Sequence, residues 1–342
     1  MTTNGNPTGD DAVARLYRLA DLATPFAIRT VVTMRVPDLI ASGTDRLGDL
    51  ARACHADPGP LGRVLRYLAR KDIFAEVEQG RFALTEIGEL LRDRGAGGAG
   101  TLLDLDGLGA RMDLAFAGLP HAVRTGEAGY ASVYGRDFWA DLDAEPSYRA
   151  TFDNLMMGQQ RVTAPEVAAL YPWDEVRHVI DVGGGSGGLL TEILGSYPHL
   201  RGTMVDRPGA TAAATRRFAE QGLAGRADVV VGNIFESLPA GADVYVVSRV
   251  LTDWNDERAT TILRRCAQAA GPAGRVLVVE VLPPDPDAVH WTPYDLTMLV
   301  LVGGQERTVD DHIALAAAAG LTPANAYHGT EGLTLLEFVA SS

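Results

Sequence analysis

The sequence predicts an α/β protein, with a doubly wound sheet in its second half and an α-helical winged-helix domain before it. Three observations carry this. From Val176 onward, short apolar runs (HVIDV, GTMVD, ADVVVG, DVYVVSRV, RVLVVEVL) alternate with helical segments, the pattern of a parallel sheet covered on both faces. The first run feeds straight into Gly183-Gly184-Gly185-Ser186-Gly187-Gly188, the strand, turn and helix start of a Rossmann-like loop. Residues 47–91 read instead as helix, turn, helix, hairpin, the order of a winged-helix unit.

Taken in order, residues 12–34 (AVARLYRLADLATPFAIRTVVTM) carry apolar side chains at helical spacing on both faces, which predicts burial against more than one neighbour. Two short helical patterns then flank the break Asp57-Pro58-Gly59-Pro60, and Glu78-Gln79-Gly80-Arg81 separates two alternating runs. This unit lacks a concentrated basic stripe, so dimerisation is expected of it rather than DNA binding. The glycine-rich stretch Arg94 to Gly100 is expected to end a first domain, 1–100, and residues 101–170 read as a helical linker. The sheet domain follows over 171–342, and its last segment, GLTPANAYHGTEGLTLLEFVA, offers two further strands joined by a polar turn.

Bulk properties narrow the class. With 342 residues, 46% of them hydrophobic, the chain can bury a sizeable core in two domains. No apolar run approaches the roughly 18 residues of a membrane span, and the polar N-terminus lacks a secretory pattern. Two cysteines far apart, Cys54 and Cys266, suggest a reduced compartment, so a cytoplasmic enzyme is expected. A formal charge of −14 opposes a phosphate backbone, and no nucleic-acid partner is expected. The seven histidines show no i, i+3 or i, i+4 pairing, and His290 and His312 lack a neighbouring acid or cysteine at ligand spacing, so no metal is expected.

Gly183-x-Gly185-x-x-Gly188 satisfies the dinucleotide pattern, since glycines let the chain turn sharply and let a ligand approach the backbone at a helix start. Asp206 ends the next strand, 25 residues after Asp181, where a carboxylate can accept both hydroxyls of a ribose. A glycine turn that only packs helix on strand gives the same letters. The loop also does not separate a nicotinamide cofactor from S-adenosylmethionine. A nicotinamide enzyme would need a hydride-site acid or a tyrosine–lysine pair, whereas Lys71 is the only lysine and lies in the first domain.

The ordered set VVVGNIF, SRVLTDW-DE, GRVLVVEVL and GGQERT adds what the loop lacks. With these motifs nearly the whole chain resembles the caffeate-type O-methyltransferase family, in particular its actinobacterial branch acting on antibiotic intermediates. The resemblance implies a class I methyltransferase domain, S-adenosylmethionine as cofactor, and a homodimer formed through the winged-helix region. It implies that Asp181, Gly183 and Gly185 line the cofactor and that Asp206, with Arg207 beside it, holds the ribose. Asn233 and Ile234 would flank the adenine, although the family usually has an acid where Asn233 stands. Ser248, with Arg249, would border the methionine portion, and Arg149, in YRATFDNLM, matches an arginine that reaches the cofactor's carboxylate.

On the acceptor side, Met298 and Leu299 match positions that wall the pocket. Trp139, Phe152 and Met156 are further wall candidates, with Phe116, Phe138 and Met157, and each can equally be core. An aromatic small molecule is the expected acceptor, and Tyr17 and His55 are candidates to contribute across a dimer interface.

Plant-type members place a general-base histidine where this chain has Thr252, and a threonine hydroxyl does not titrate near neutrality. Asp253 and Glu306 remain as candidate catalytic groups beside Thr252. Three explanations compete. An acidic phenol can be methylated by proximity and orientation alone. Another base, Asp253, His121 or His290, can serve, including for methylation at carbon or nitrogen. Methyl transfer can also be lost in favour of hydroxylation or decarboxylation. A winged-helix DNA-binding regulator is the reading from a different class.

Overall fold

The structure is a computed structural model that describes residues 9–93, 98–282 and 292–341. The chain divides into two compact units, Met1–Asp113 and Leu114–Ser342.

In the first unit, the helices Leu47–Ala53 and Pro58–Ala69 precede a hairpin of β1 (Phe74–Glu78) and β2 (Arg81–Leu84), as the sequence predicts. Asp57 starts the second helix, because its carboxylate accepts from the Gly59 amide at 2.7 Å while Pro58 fills the first position. Gly80 closes the hairpin at φ +72°, which only glycine adopts freely. Leu50, Leu65, Leu68, Phe74 and Phe82 form the core. The stretch 12–34 is two helices, Gly9–Leu19 and Ala23–Thr33, with different burial. The second buries Val31 and Val32, whereas on the first Leu16 and Leu19 are 64% and 77% exposed. The expected burial on several sides therefore does not hold for the first helix within one chain.

The second unit opens with short helices, including Leu119–Thr125, Gly129–Tyr134 and Phe138–Ala144, and the 25-residue helix Pro146–Leu170. Then come β3 (His178–Val182), β4 (Arg201–Asp206), β5 (Ala227–Val231), β6 (Val244–Ser248), β7 (Arg275–Val281), β8 (Leu321–His328) and β9 (Leu333–Ala340). They form one sheet in the order β5-β4-β3-β6-β7-β9-β8. Strands β3 to β7 are parallel, whereas β9 runs antiparallel to both β7 and β8. The expectation of a parallel sheet thus holds for five strands. The last two strands, expected only as two strands joined by a polar turn, form a hairpin because four residues between them allow no crossover, and β9 alone is reversed.

Alternation along the strands fills two cores. Val179, Val246 and Leu277 pack with the helices Pro146–Leu170 and Gly188–Ser196, and Ile180, Tyr245 and Val278 pack with Asp256–Ala270. From β3 the chain runs outward to β4 and β5, then returns to place β6 on the other side of β3. That reversal opens a crevice at the carboxyl ends of β3 and β6, where ligands bind in sheets of this kind. Among the described residues, no helix is long and apolar enough to cross a membrane.

Candidate active site

The glycine loop leaves β3 at that crevice. Gly183, Gly185 and Gly187 have φ of +75°, +61° and +75°, conformations that side-chain-bearing residues adopt at a cost. The loop then starts the helix Gly188–Ser196. A Cβ on Gly183 would lie 2.8 Å from Cγ2 of Val250, so the loop is pressed against the residues after β6. A Cβ on Gly185 would meet nothing within 4 Å, leaving an open cradle.

Asp206 ties the loop to the next strand. Its carboxylate accepts from the amides of Gly185 at 2.8 Å and Arg207 at 2.7 Å, and burial holds its pKa above the usual range against those bonds. Asp181 is buried beneath the loop, and neither carboxylate oxygen has a hydrogen-bond partner in the protein. Burial, with Asp206 nearby, pushes its pKa up to about 7. A buried carboxyl without a donor is rare in a finished core and marks a site built for something else.

Arg149 reaches this crevice from the helix Pro146–Leu170. Its guanidinium donates to Asp143 at 2.6 Å, and Arg207 donates to the other oxygen of Asp143 at 2.8 Å. Asp143, which the sequence reading passed over, thus holds both arginines. The Arg207 guanidinium lies 5.1 Å from the centre of the Trp139 ring. Trp139 in turn stacks on Trp254 at 6.3 Å and meets Phe152 edge-on at 5.7 Å. Phe235, after β5, meets Trp254 edge-on at 4.8 Å. In the same turn Asn233 is exposed, its amide donating to Glu236 at 3.1 Å, and Ile234 is half-buried. Trp139 and Phe152 therefore form one aromatic cluster with Trp254, which was not predicted.

Ser248 ends β6 and is followed by Arg249 at φ +54°. Its guanidinium donates to the Tyr294 hydroxyl at 3.1 Å. The Thr252 hydroxyl donates to the Gln305 carbonyl at 3.3 Å, and the Gln305 amide donates back to the Thr252 carbonyl at 3.0 Å. Thr252 therefore clasps the GGQERT loop. Arg307, 2% exposed, seals the junction by donating to the carbonyls of Leu251 and Trp254, each at 2.7 Å, and to Asp256. Glu306 accepts from the Thr292 hydroxyl.

Asp253 and Glu280 are the unusual acids here. Burial, then the charge of Glu280, pushes Asp253 up to about 8, while burial pushes Glu280 up to about 7 against Arg249 and Arg307. Glu280 was missed in the sequence, where it is a single acid at the end of an apolar strand. Met298 is buried and Leu299 half-buried on the helix Pro293–Val302, which packs against Leu119–Thr125 and Gly129–Tyr134. Met156 is half-buried on Pro146–Leu170. His121 sits on Leu119–Thr125, outside the group around Thr252, and His290 lies outside the described residues. Among the described residues no three His, Cys, Asp or Glu side chains are grouped to hold a metal.

The arrangement suits a cation that carries a pair of hydroxyls. Asp206 can still accept two hydroxyls, Gly185 is open to a ligand, and the acids Asp181, Asp206, Asp253 and Glu280 favour positive charge.

Comparison with known proteins agrees. Residues 116–322 match the family profile of the O-methyltransferase domain, and residues 12–94 that of the O-methyltransferase dimerisation domain. The chain is 46% identical over 325 residues to a 2,7-dihydroxy-5-methyl-1-naphthoate 7-O-methyltransferase of Streptomyces carzinostaticus, covering 95% of this chain and 97% of that one. It is 42% identical over 337 residues to aclacinomycin 10-hydroxylase RdmB of Streptomyces purpurascens, covering 97% and 90%. The solved structure of an O-methyltransferase (NcsB1) from neocarzinostatin biosynthesis, in complex with S-adenosylmethionine and 2-hydroxy-5-methyl naphthoic acid, matches at TM-score 0.87 and 45% identity, covering 95% and 98%.

Proposed function

The chain belongs to the S-adenosylmethionine-dependent O-methyltransferase family, and on that premise we propose that it methylates an aromatic hydroxyl of a secondary-metabolite intermediate, largely by proximity and orientation. The observation that carries the orientation reading is Thr252, whose hydroxyl is committed to the Gln305 carbonyl where a base is otherwise expected. The naphthoate acceptor named for the Streptomyces carzinostaticus relative supports a planar, hydroxyl-bearing acceptor.

S-adenosylmethionine, when bound, supplies an electrophilic methyl on a sulfonium and departs as a neutral thioether. The chain's own tasks are to hold it, to hold the acceptor oxygen in line, and to take up the proton that oxygen loses. Asp206 holds the ribose hydroxyls with Arg207 beside it, and Asp181, Gly183 and Gly185 form the floor. Asn233 and Ile234 flank the adenine, Ser248 and Arg249 border the methionine portion, and Arg149 exchanges Asp143 for the cofactor's carboxylate. Trp139, Phe152, Met156, Met298 and Leu299 wall the acceptor. Fixing a partly ionised phenol at the reacting distance can supply several kcal/mol of the barrier reduction, roughly 7–11 kcal/mol at the limit.

A second reading has its own support. Burial and the charge of Glu280 push Asp253 up to about 8, close to working pH and thus suited to a general base, and in its ionised form it takes the acceptor's proton. Glu306, tied to Thr292, keeps the loop in place. Residues 1–100 serve dimerisation: a second copy covers the exposed Val13, Leu16 and Leu19, in keeping with the dimerisation profile over residues 12–94. The helices over 101–170 supply the acceptor wall. The enzyme works in the cytoplasm.

The test is a mass-spectrometric screen of hydroxylated fused-ring aromatics with labelled methyl donor. Gain of one labelled methyl on oxygen is expected. A product gaining oxygen or losing carbon dioxide, without the label, would place the chain with its hydroxylase relative instead.

A further inference from the structure

A cavity of about 20 Å³, the size of one water, is walled by Thr252, Glu280, Glu306, Arg307 and His312. Several polar groups around it are already engaged. Thr252 donates to Gln305, Arg307 to two carbonyls and Asp256, and Glu306 accepts from Thr292. Two are not. Glu280 is 6% and His312 3% exposed, and both Glu280 Oε1 and His312 Nδ1 lack a hydrogen-bond partner in the protein. They come from different elements, β7 and the helix Val309–Ala318. Two buried polar atoms left unmatched are costly, and a water reaching both removes that cost.

We propose that this cavity holds an ordered water bridging Glu280 Oε1 and His312 Nδ1, and that through it His312 is a positioning residue that keeps Glu280 ionised beside Asp253. The inference rests on the reading of Asp253 as the group that takes the acceptor's proton.

The electrostatics work in that direction. Burial, with Arg307 adjacent and opposed only by Asp311, holds His312 down at about 4, so its imidazole is neutral and can accept from water at neutral pH. The water's other hydrogen goes to the carboxylate, and a hydrogen bond to the charged form favours that form. Arg249 and Arg307 act on Glu280 in the same sense. An ionised Glu280 then raises the proton affinity of Asp253, which faces Arg249 as its counter-charge. The acceptor's proton passes to the Asp253 carboxylate and leaves to solvent as product departs.

The test replaces His312 in the full-length protein and reads Glu280 by the infrared stretch of its protonated carboxyl. Glu280→Gln identifies the band, and no acceptor is needed. In His312→Phe the water loses a partner, and the midpoint is expected to rise by about one pH unit. His312→Leu carries the same expectation should the larger ring disturb packing. His312→Gln, whose amide oxygen can accept the same hydrogen, should shift by less than half as much. With an acceptor in hand, the acid limb of kcat, set by Asp253, should move down as the band moves up, because a neutral Glu280 no longer raises Asp253. A His312→Phe titration superimposable on the wild type would overturn the proposal, as would an equal displacement in His312→Gln. Wild-type protein that transfers no methyl defeats the functional reading alone, and the infrared titration still decides this one.

Discussion

Asp206→Asn tests the centre of the cofactor site, because the wild-type carboxylate has no spare geometry. Each oxygen already accepts one backbone amide, Gly185 at 2.8 Å and Arg207 at 2.7 Å. A carboxylate oxygen has two lone pairs, so each retains one for a ribose hydroxyl. The amide keeps the shape but turns one oxygen into a donor. That NH2 then faces either Gly185 or Arg207 N–H, leaving a buried donor unmatched at about 1–3 kcal/mol. It also deprives one ribose hydroxyl of its acceptor and weakens the bond to the other, which loses its charge assistance. About 3 kcal/mol of cofactor affinity should go, a factor on the order of 100 in Kd. Calorimetry with S-adenosylhomocysteine at pH 7.5 measures it, with thermal unfolding run in parallel to show an intact fold. Binding within about threefold of the wild type, on natively folded protein, would refute the assignment of Asp206 to the ribose.

Two other expectations concern the same floor. Gly183→Ala should cost about 2–4 kcal/mol of stability, from φ +75° and a Cβ 2.8 Å from Val250. Gly185→Ala has open space around its Cβ, so it should cost about 1–2 kcal/mol in stability but lose more cofactor affinity; equal effects of the two in unfolding and calorimetry would contradict the cradle. Raised carboxylates are neutral below their pKa and charged above it, so the site grows more negative between pH 6 and 8.5 as Asp181, Glu280 and Asp253 ionise, at about 7, 7 and 8. Affinity for the cationic S-adenosylmethionine, relative to neutral S-adenosylhomocysteine, should therefore rise about 3- to 10-fold over that range, and a ratio independent of pH by calorimetry would contradict it.

The central strands of the sheet, β3, β6 and β7, were legible because they are buried on both faces. Each reads as a continuous apolar run, and the alternation of Val179 with Ile180, or Leu277 with Val278, only decides which core each joins. The antiparallel end was half-legible: two strand patterns and a turn were visible, but their direction follows from a connection too short to cross over. The helices between 101 and 170 resisted division for a different reason. Glycines do mark helix ends here, Gly126 and Gly135 closing Leu119–Thr125 and Gly129–Tyr134 at φ +74° and +76°. But Gly118 and Gly129 also pack backbone to backbone, a Cβ on Gly118 lying 2.3 Å from the Gly129 carbonyl, and that contact is not written in the spacing. The apolar side chains of Gly9–Leu19, expected to be buried against more than one neighbour, are left uncovered within one chain for a related reason. Periodicity reports that a face is apolar, not whether the same chain covers it.

The site divides along the same physical line. Asp181, Asp206 and the glycines occupy fixed places relative to a strand end, so spacing alone finds them. Glu280 offered a usable signal that went unread: an acid breaking an apolar strand at its carboxyl end, where α/β sheets bind ligands. A carboxylate there is too costly to bury for packing alone. His312 offered none. One turn into its helix, with Asp310 and Asp311 before it and Ile313 after, it reads as an ordinary helical position. Its meaning arises only when the helix lies against the end of β7 and brings a neutral imidazole to the cavity Glu280 shares. Groups that act on a ligand through a strand end are written in one segment of sequence. Groups that act through one another are written in two, and packing has to bring the segments together.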